Sequence, residues 1–372
     1  MSPLSFQITA RCGEARRGLL FTPHGVIETP AFMPVATYGA VRGLDAADLI
    51  ALGAQIALAN TFHLHERPGE EIIARAGGLH GFTGWRGPWL TDSGGYQVTS
   101  LADRAQIEED GVTFSSPLDG RRRLLSPESA VRIQEALGSD IAMVLDECLP
   151  IEPGERVRAE GALDRSLRWA ERALRARAKP EQALFGIVQG GSFPELRQRG
   201  ARALAALPFD GYAHGGLGLG EAAAARLELV AQAQAELPPA APRYLMGLGK
   251  PEDIVDAIAL GVDLFDCVVP TRHARHGLLY TASGTLAIRN ARYREDFAPI
   301  DADCDCRACA HHSRAYLRHL FHAGEALGPR LATLHNLHFY LRLLARARAA
   351  IAAGGFPALQ REVSAVGSKR RA

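Results

Sequence analysis

From residue 50 onward the chain alternates short apolar runs with amphipathic stretches. "AQIALAN" (54–60), "DIAMVLDE" (140–147), "ALFGIVQGG" (183–191), "DGYAHGGLGLG" (210–220), "RYLMGLG" (243–249) and "VDLFDCVVP" (262–270) read as buried strands. Helices fall between them. "SPESAVRIQEAL" opens with Ser126 as N-cap and Pro127 as first helical residue. "EAAAARLELVAQAQAEL" and "PEDIVDAIAL" place apolar residues three and four positions apart. Strand–helix alternation with short connections and no low-complexity linker predicts an α/β fold with a parallel sheet. One (β/α)8 TIM barrel spanning residues 1–372 fits this better than two domains; a doubly wound sheet is the alternative.

With 372 residues and 47% hydrophobic content, the chain can bury a large core without covalent staples. Its N-terminus, "MSPLSFQITARCGEARRG", lacks a basic start followed by an apolar core, and no apolar stretch reaches the roughly 18 residues a membrane helix needs. A soluble cytoplasmic protein is expected. Net charge is +1, from 42 Lys plus Arg against 41 Asp plus Glu, so no global basic field announces a nucleic-acid partner. Basic residues gather only locally, at Arg121 to Arg123, at Arg272 and Arg275, and in the tail Lys369 to Arg371.

Three of the six cysteines lie within "CDCRAC", as Cys304, Cys306 and Cys309, and two histidines follow. In a reducing compartment such a cluster more often holds a metal than a disulfide, and the spacing suits three thiolates on one tetrahedral zinc. A fourth ligand is then required. His311, His312, His319, His322, His335 and His338 are all available, and spacing alone does not choose among them.

The polar residues at the ends of the apolar runs form a second pattern. Asp92 follows "GPWL", Asp146 follows "IAMVL", Gln189 follows "LFGIV", Gly215 and Gly216 follow "GYAH", and Asp266 follows "VDLF". Taken singly, each aspartate reads better as a turn or cap residue. Together they occupy the C-terminal rim, where barrel enzymes assemble their active sites. No P-loop occurs, and "GGLGLGE" lacks the spacing of a dinucleotide fingerprint.

"TDSGGYQVTSL", "LGSDIAMVLDEC", "LFGIVQGGSFPELR", "GGLGLGE", "YLMGLGKPEDI", "LFDCVVPTR" and the cysteine cluster followed by "TLHNLHFY" resemble, in order and spacing, the bacterial tRNA-guanine transglycosylases. The resemblance covers about residues 5 to 355. It implies a zinc-containing TIM barrel, usually a homodimer, that exchanges guanine at wobble position 34 of tRNAs for Asp, Asn, His and Tyr for a 7-deazaguanine. It matches the zinc ligands to Cys304, Cys306, Cys309 and His335, a closed structural site in a subdomain at 300–345 whose helix at "SRAYLRHL" resembles the dimer contact. Asp266 matches the nucleophile and Asp92 the general acid and base, as in a retaining glycosidase. The base would be read by Asp146, Gln189 and the Gly216 N–H and sandwiched by Tyr96 and Met246, with Cys148 lining the pocket. Leu217, Leu219 and Glu221 would meet the 7-substituent of the incoming base, 7-aminomethyl-7-deazaguanine, and Arg272 and Arg275 the anticodon loop.

Several positions depart from that pattern. His273 and Ala274 stand where Ser-Gly is common and His276 where Asn is usual; Tyr38 and Gly39 replace two small residues, and His65 and Glu66 apolar ones. Leu219 replaces the Val of bacterial members. None of these removes a catalytic group. Other readings account for less. A non-catalytic subunit of the same fold would not keep both Asp92 and Asp266, and a sugar hydrolase has no use for Tyr96, Asp146, Gln189 and a zinc subdomain together. An enzyme acting on position 15 of archaeal tRNA would carry an added C-terminal RNA-binding domain.

Overall fold

The computed structural model describes residues 3–101, 105–148 and 155–371. Its central sheet is parallel and follows the order Ala31–Met33, Leu264–Asp266, Arg243–Leu245, Gly211–His214, Ala183–Val188, Ile141–Met143, Trp89–Thr91, Ala57–Ala59, Val35–Ala36. The two end strands are one segment interrupted at Pro34, which has no N–H to give a ladder. Ala31–Met33 pairs with Leu264–Asp266 and Val35–Ala36 pairs with Ala57–Ala59, so the sheet closes into an eight-stranded barrel. The strands from Ala57–Ala59 onward are buried throughout, as strands covered on both faces must be. This is the TIM barrel, and the doubly wound alternative is excluded.

Most of the helices between strands follow the sequence pattern. Pro127–Leu137 begins at Ser126, whose hydroxyl accepts from the Ser129 N–H at 3.1 Å. Ala223–Gln234 and Pro251–Ala259 lie where three- and four-residue apolar spacing puts them.

An antiparallel sheet of Ser5–Cys12, Ala15–Thr22 and Gly25–Thr29 covers the N-terminal ends of the strands. Arg16 reaches Asp263, one residue before its strand, at 2.8 Å, and His24 reaches Asp140, one residue before another, at 2.8 Å. A second antiparallel sheet, Gln106–Glu108, Gly111–Ser115 and Arg122–Leu125, lies between barrel strands in sequence. After the barrel come the hairpin Leu278–Thr281/Gly284–Ala287, the helices Arg307–His311 and Arg314–Ala323, and the long helix Leu327–Ala352. That long helix packs against Val269–His276 and the barrel, where the Tyr340 hydroxyl donates to the Gly249 carbonyl at 2.5 Å. Among the described residues, no helix is long and apolar enough to cross a membrane.

Candidate active site and metal centre

Six adjacent strands deliver candidate site residues to one end of the barrel. Asp92, Asp146, Gln189, Gly215, Met246 and Asp266 lie at or just beyond the C-terminal ends of Trp89–Thr91, Ile141–Met143, Ala183–Val188, Gly211–His214, Arg243–Leu245 and Leu264–Asp266.

Asp92 and Asp266 face the same space and are held differently. Asp92 accepts from the Thr61 N–H at 2.9 Å on Oδ1, and from Asn60 Nδ2 at 2.5 Å and Gln97 Nε2 at 3.2 Å on Oδ2. Burial, with the Asp266 charge adding to it, pushes its carboxyl up to about 7. Asp266 takes the Tyr244 hydroxyl at 2.6 Å and the Gly247 N–H at 2.7 Å, both on Oδ1. Its Oδ2 carries no hydrogen bond among the described residues. Burial raises the Asp266 pKa too, while the tyrosine and amide donors support its anion. In such a pair the proton rests on Asp92, leaving Asp266 ionised with one oxygen open.

A second group gathers beside them. Gln189 Nε2 donates to Asp146 Oδ2 at 2.6 Å, and burial pushes the Asp146 carboxyl up to about 6. Burial, with the Asp146 charge adding to it, pushes the Cys148 thiol up to about 12. It is a neutral thiol and not a nucleophile. Gly216 has φ +64°, and a side chain there would meet Gln189 Oε1 at 2.4 Å, so only glycine fits.

Tyr96 is half exposed on Gly95–Leu101. That helix starts against the Asp146 carbonyl because Gly95 has no side chain to hold it off. Leu217 is buried, whereas Leu219 is half-buried on the loop and outside the core. Glu221 accepts from the Gly218 N–H at 2.5 Å, the Leu219 N–H at 3.0 Å and Arg226 Nε at 2.6 Å.

Arg272 and Arg275 lie on Val269–His276, and neither forms an ion pair among the described residues. Burial and the nearby charges of Arg42 and Arg272 lower the Arg275 pKa, so three cations share this patch. His273 turns inward. Its Nδ1 hydrogen-bonds the Tyr280 hydroxyl at 2.9 Å, and burial, helped by Arg272, lowers its pKa. It is therefore a neutral packing residue at neutral pH, while His276 is exposed. Two further departures are held by neighbours: His65 Nδ1 hydrogen-bonds Glu70 at 2.7 Å, and Glu66 forms an ion pair with Arg123 at 2.7 Å.

The metal-binding arrangement is explicit. The ligand atoms of Cys304, Cys306, Cys309 and His335 lie within 4.8 Å of one another. His335 Nδ1 is 3.7, 3.5 and 3.3 Å from the three sulfurs. Tetrahedral Zn–S and Zn–N bonds of about 2.3 and 2.0–2.1 Å require roughly 3.5 Å between S and N. His335 Nε2 lies 2.6 Å from the Tyr280 carbonyl, which only accepts, so the proton sits on Nε2 and Nδ1 offers its lone pair to the sulfurs. The group can hold a metal ion, and of the six histidines named from sequence it uses His335. A second group, His24, His80 and Asp140, lies at the opposite end of the barrel, but its two imidazoles stack at 3.5 Å and each already turns a ring nitrogen to Asp140, His24 at 2.8 Å and His80 at 3.4 Å.

Sequence reasoning missed the residues that support these groups: Asn60 and Thr61 on Asp92, Tyr244 on Asp266, and Arg197 behind Gly215 and Gly216. Asn60 ends the run "AQIALAN" and could have been found by the same rim rule that picked out Asp92. Tyr244 and Arg197 sit inside two quoted motifs, with nothing in them to mark which way their side chains turn.

Comparison with known proteins agrees with this geometry. The family model described as Queuine tRNA-ribosyltransferase matches residues 11–368. A queuine tRNA-ribosyltransferase of Nitrosomonas europaea is 54% identical over 361 residues, covering 97% of each chain. One from Thermus thermophilus is 52% identical over 362 residues, covering 97% of this chain and 94% of its own. One from Stenotrophomonas maltophilia is 54% identical over 363 residues, covering 97% and 96%. The chain belongs to the queuine tRNA-ribosyltransferase family.

Proposed function

We propose that this protein exchanges guanine at wobble position 34 of tRNAs for Asp, Asn, His and Tyr for 7-aminomethyl-7-deazaguanine, in queuosine biosynthesis. The observation that carries the reading is the asymmetric carboxyl pair: Asp92 with a pKa of about 7, Asp266 with Oδ2 open. Asp266 Oδ2 attacks C1′ of nucleotide 34, the C1′–N9 bond breaks, and the departing guanine takes the Asp92 proton. The ribose stays covalently on Asp266. The carboxylate of Asp92 then removes the N9 proton of the incoming base, N9 attacks C1′, and Asp266 is released with configuration retained.

Base recognition falls to the second group. Asp146 accepts from the N1–H and exocyclic amine, Gln189 and the Gly216 N–H donate to O6, and Tyr96 and Met246 stack on the ring, with Cys148 lining the pocket. In the free protein the Gln189 amide rests on Asp146, an arrangement that supports the assignment. The Leu217 carbonyl receives the aminomethyl group. It shares a peptide with the Gly218 N–H that Glu221 holds, so Glu221 fixes its direction. Leu219 bounds the same space. Arg272 and Arg275 bind anticodon-loop phosphates.

The metal is zinc, one per chain. Four protein ligands leave no open position, so when bound it supplies structural cross-linking and no chemistry. Residues 300–345 form its subdomain within the single 1–372 catalytic domain, and the protein is a cytoplasmic homodimer. The exposed Tyr316 on Arg314–Ala323, stacked with His312 at 5.3 Å, supports that helix as the contact. Incubation with an anticodon stem-loop and labelled guanine tests the activity. Label should appear at position 34, and an unlabelled RNA would contradict the reading.

A further inference from the structure

Arg197, on the helix Pro194–Ala205, is 0% exposed and has no carboxylate among its hydrogen-bond partners. Its Nε donates to the Gly191 carbonyl at 3.0 Å, Nη1 to Gly215 at 2.7 Å and Val188 at 3.2 Å, and Nη2 to Gly216 at 3.1 Å. Burial lowers its pKa only to about 10, so it stays charged at neutrality. The Glu221 charge acts on it only from beyond hydrogen-bond contact; a buried cation without a paired carboxylate is costly, and a helix residue needing only to pack would be apolar.

The peptide between Gly215 and Gly216 is trans, so its C=O and N–H point in opposite directions. With the carbonyl held on the guanidinium, the Gly216 N–H must face the other way, and the Gln189 amide and Asp146 carboxylate lie beside the same peptide, 2.7 and 3.5 Å from where a side chain on Gly215 would begin. A side chain at Gly215 would strike Ile187 Cγ2 at 2.6 Å and one at Gly216 would strike Gln189 Oε1. The segment therefore has no side chain of its own to fix its orientation and is held from behind. A cation on the carbonyl also polarises the amide and strengthens its N–H as a donor.

We infer that Arg197 is a positioning residue for base recognition, which through the Gly215–Gly216 peptide aims and strengthens the Gly216 N–H toward the 6-oxygen of the bound base. This rests on the transglycosylase reading. The planar fork does this best, because an ammonium can satisfy only part of the carbonyl set.

Calorimetric binding of guanine and 6-thioguanine tests it. Both keep N1–H and the exocyclic amine, but sulfur is a weak acceptor at position 6. The unaltered protein should prefer guanine. Arg197→Gln should weaken guanine roughly tenfold and 6-thioguanine far less, collapsing the preference, while Arg197→Lys should retain an intermediate preference. An Arg197→Gln protein that melts cooperatively and keeps the wild-type preference, or loses both ligands equally, overturns the inference. If the unaltered protein binds neither base, the transglycosylase reading fails and takes the inference with it. Should neither variant fold, hydrogen exchange of residues 211–219 in the unaltered protein decides. Guanine should protect the Gly216 amide more than 6-thioguanine does, and equal protection contradicts the role.

Discussion

Two aspartates on one rim differ in what surrounds them. Asp92 is buried against the charge of Asp266, and its folded pKa of about 7 lies well above the ordinary 3.8. Between those values the folded state binds the proton more tightly than the unfolded chain does. Stability therefore falls as pH rises through that window, and the cost above it is on the order of 4 kcal/mol. The cost maintains a carboxylic acid at neutral pH, which a departing base requires. Asp92→Asn has no such titration. The melting temperature of Asp92→Asn minus that of the unaltered protein should climb between about pH 4 and 7 and level off above. A difference independent of pH would show that Asp92 does not carry a raised pKa.

At the scale of elements, the strands are shorter than the apolar runs that announce them. "VDLFDCVVP" contains a strand only at Leu264–Asp266, because the chain turns at Cys267 and Val268 into the helix Val269–His276. An apolar rim residue and an apolar strand residue look the same in sequence. Six of the eight barrel strands lay inside the runs read from sequence. The segment around Pro34 did not, because proline demotes a strand signal. Nor did the N-terminal sheet, whose first strand shows no fully buried residue. The rim acids were legible by position. Their partners were not, since hydrogen-bond direction depends on packing.

The loop after Gly211–His214 carries a specific prediction. Leu219 is half-buried, bound through its N–H to Glu221, and not part of the barrel core. If it bounds the 7-substituent as proposed, a side chain of that size should admit an aminomethyl group and exclude the cyclopentenediol of queuine by overlap. Displacement of labelled guanine from tRNA should then proceed with guanine and 7-aminomethyl-7-deazaguanine, fail with queuine, and appear with queuine in Leu219→Gly. Efficient use of queuine by the unaltered protein would sink the steric argument.

Over the whole molecule, the barrel separates stability from chemistry. Its N-terminal end is sealed by Arg16–Asp263 and by Asp140, and its C-terminal end holds the acids. The metal centre belongs to the stabilising part. His335 holds the Tyr280 carbonyl, the neighbouring Asn336 accepts from the Tyr280 N–H at 3.0 Å and donates to the Pro270 carbonyl at 2.9 Å, and His273 holds the Tyr280 hydroxyl. The cluster is thereby tied to the helix bearing Arg272 and Arg275. His335→Ala should lose bound zinc and much of the folded protein, because binding energy at a closed site is partly folding energy. His312→Ala should keep one zinc per chain by elemental analysis. The reverse pattern would overturn the ligand set.

In the proposed exchange the ribose passes through Asp266. Mass spectrometry of the protein incubated with an anticodon stem-loop and 9-deazaguanine tests it most directly. An RNA adduct should form on the peptide containing Asp266, faster at pH 6 than at pH 8 because Asp92 must first carry its proton, and should be absent from Asp266→Asn. An Asp266→Asn protein that still exchanges guanine at the unaltered rate, or an adduct on another residue, would contradict it.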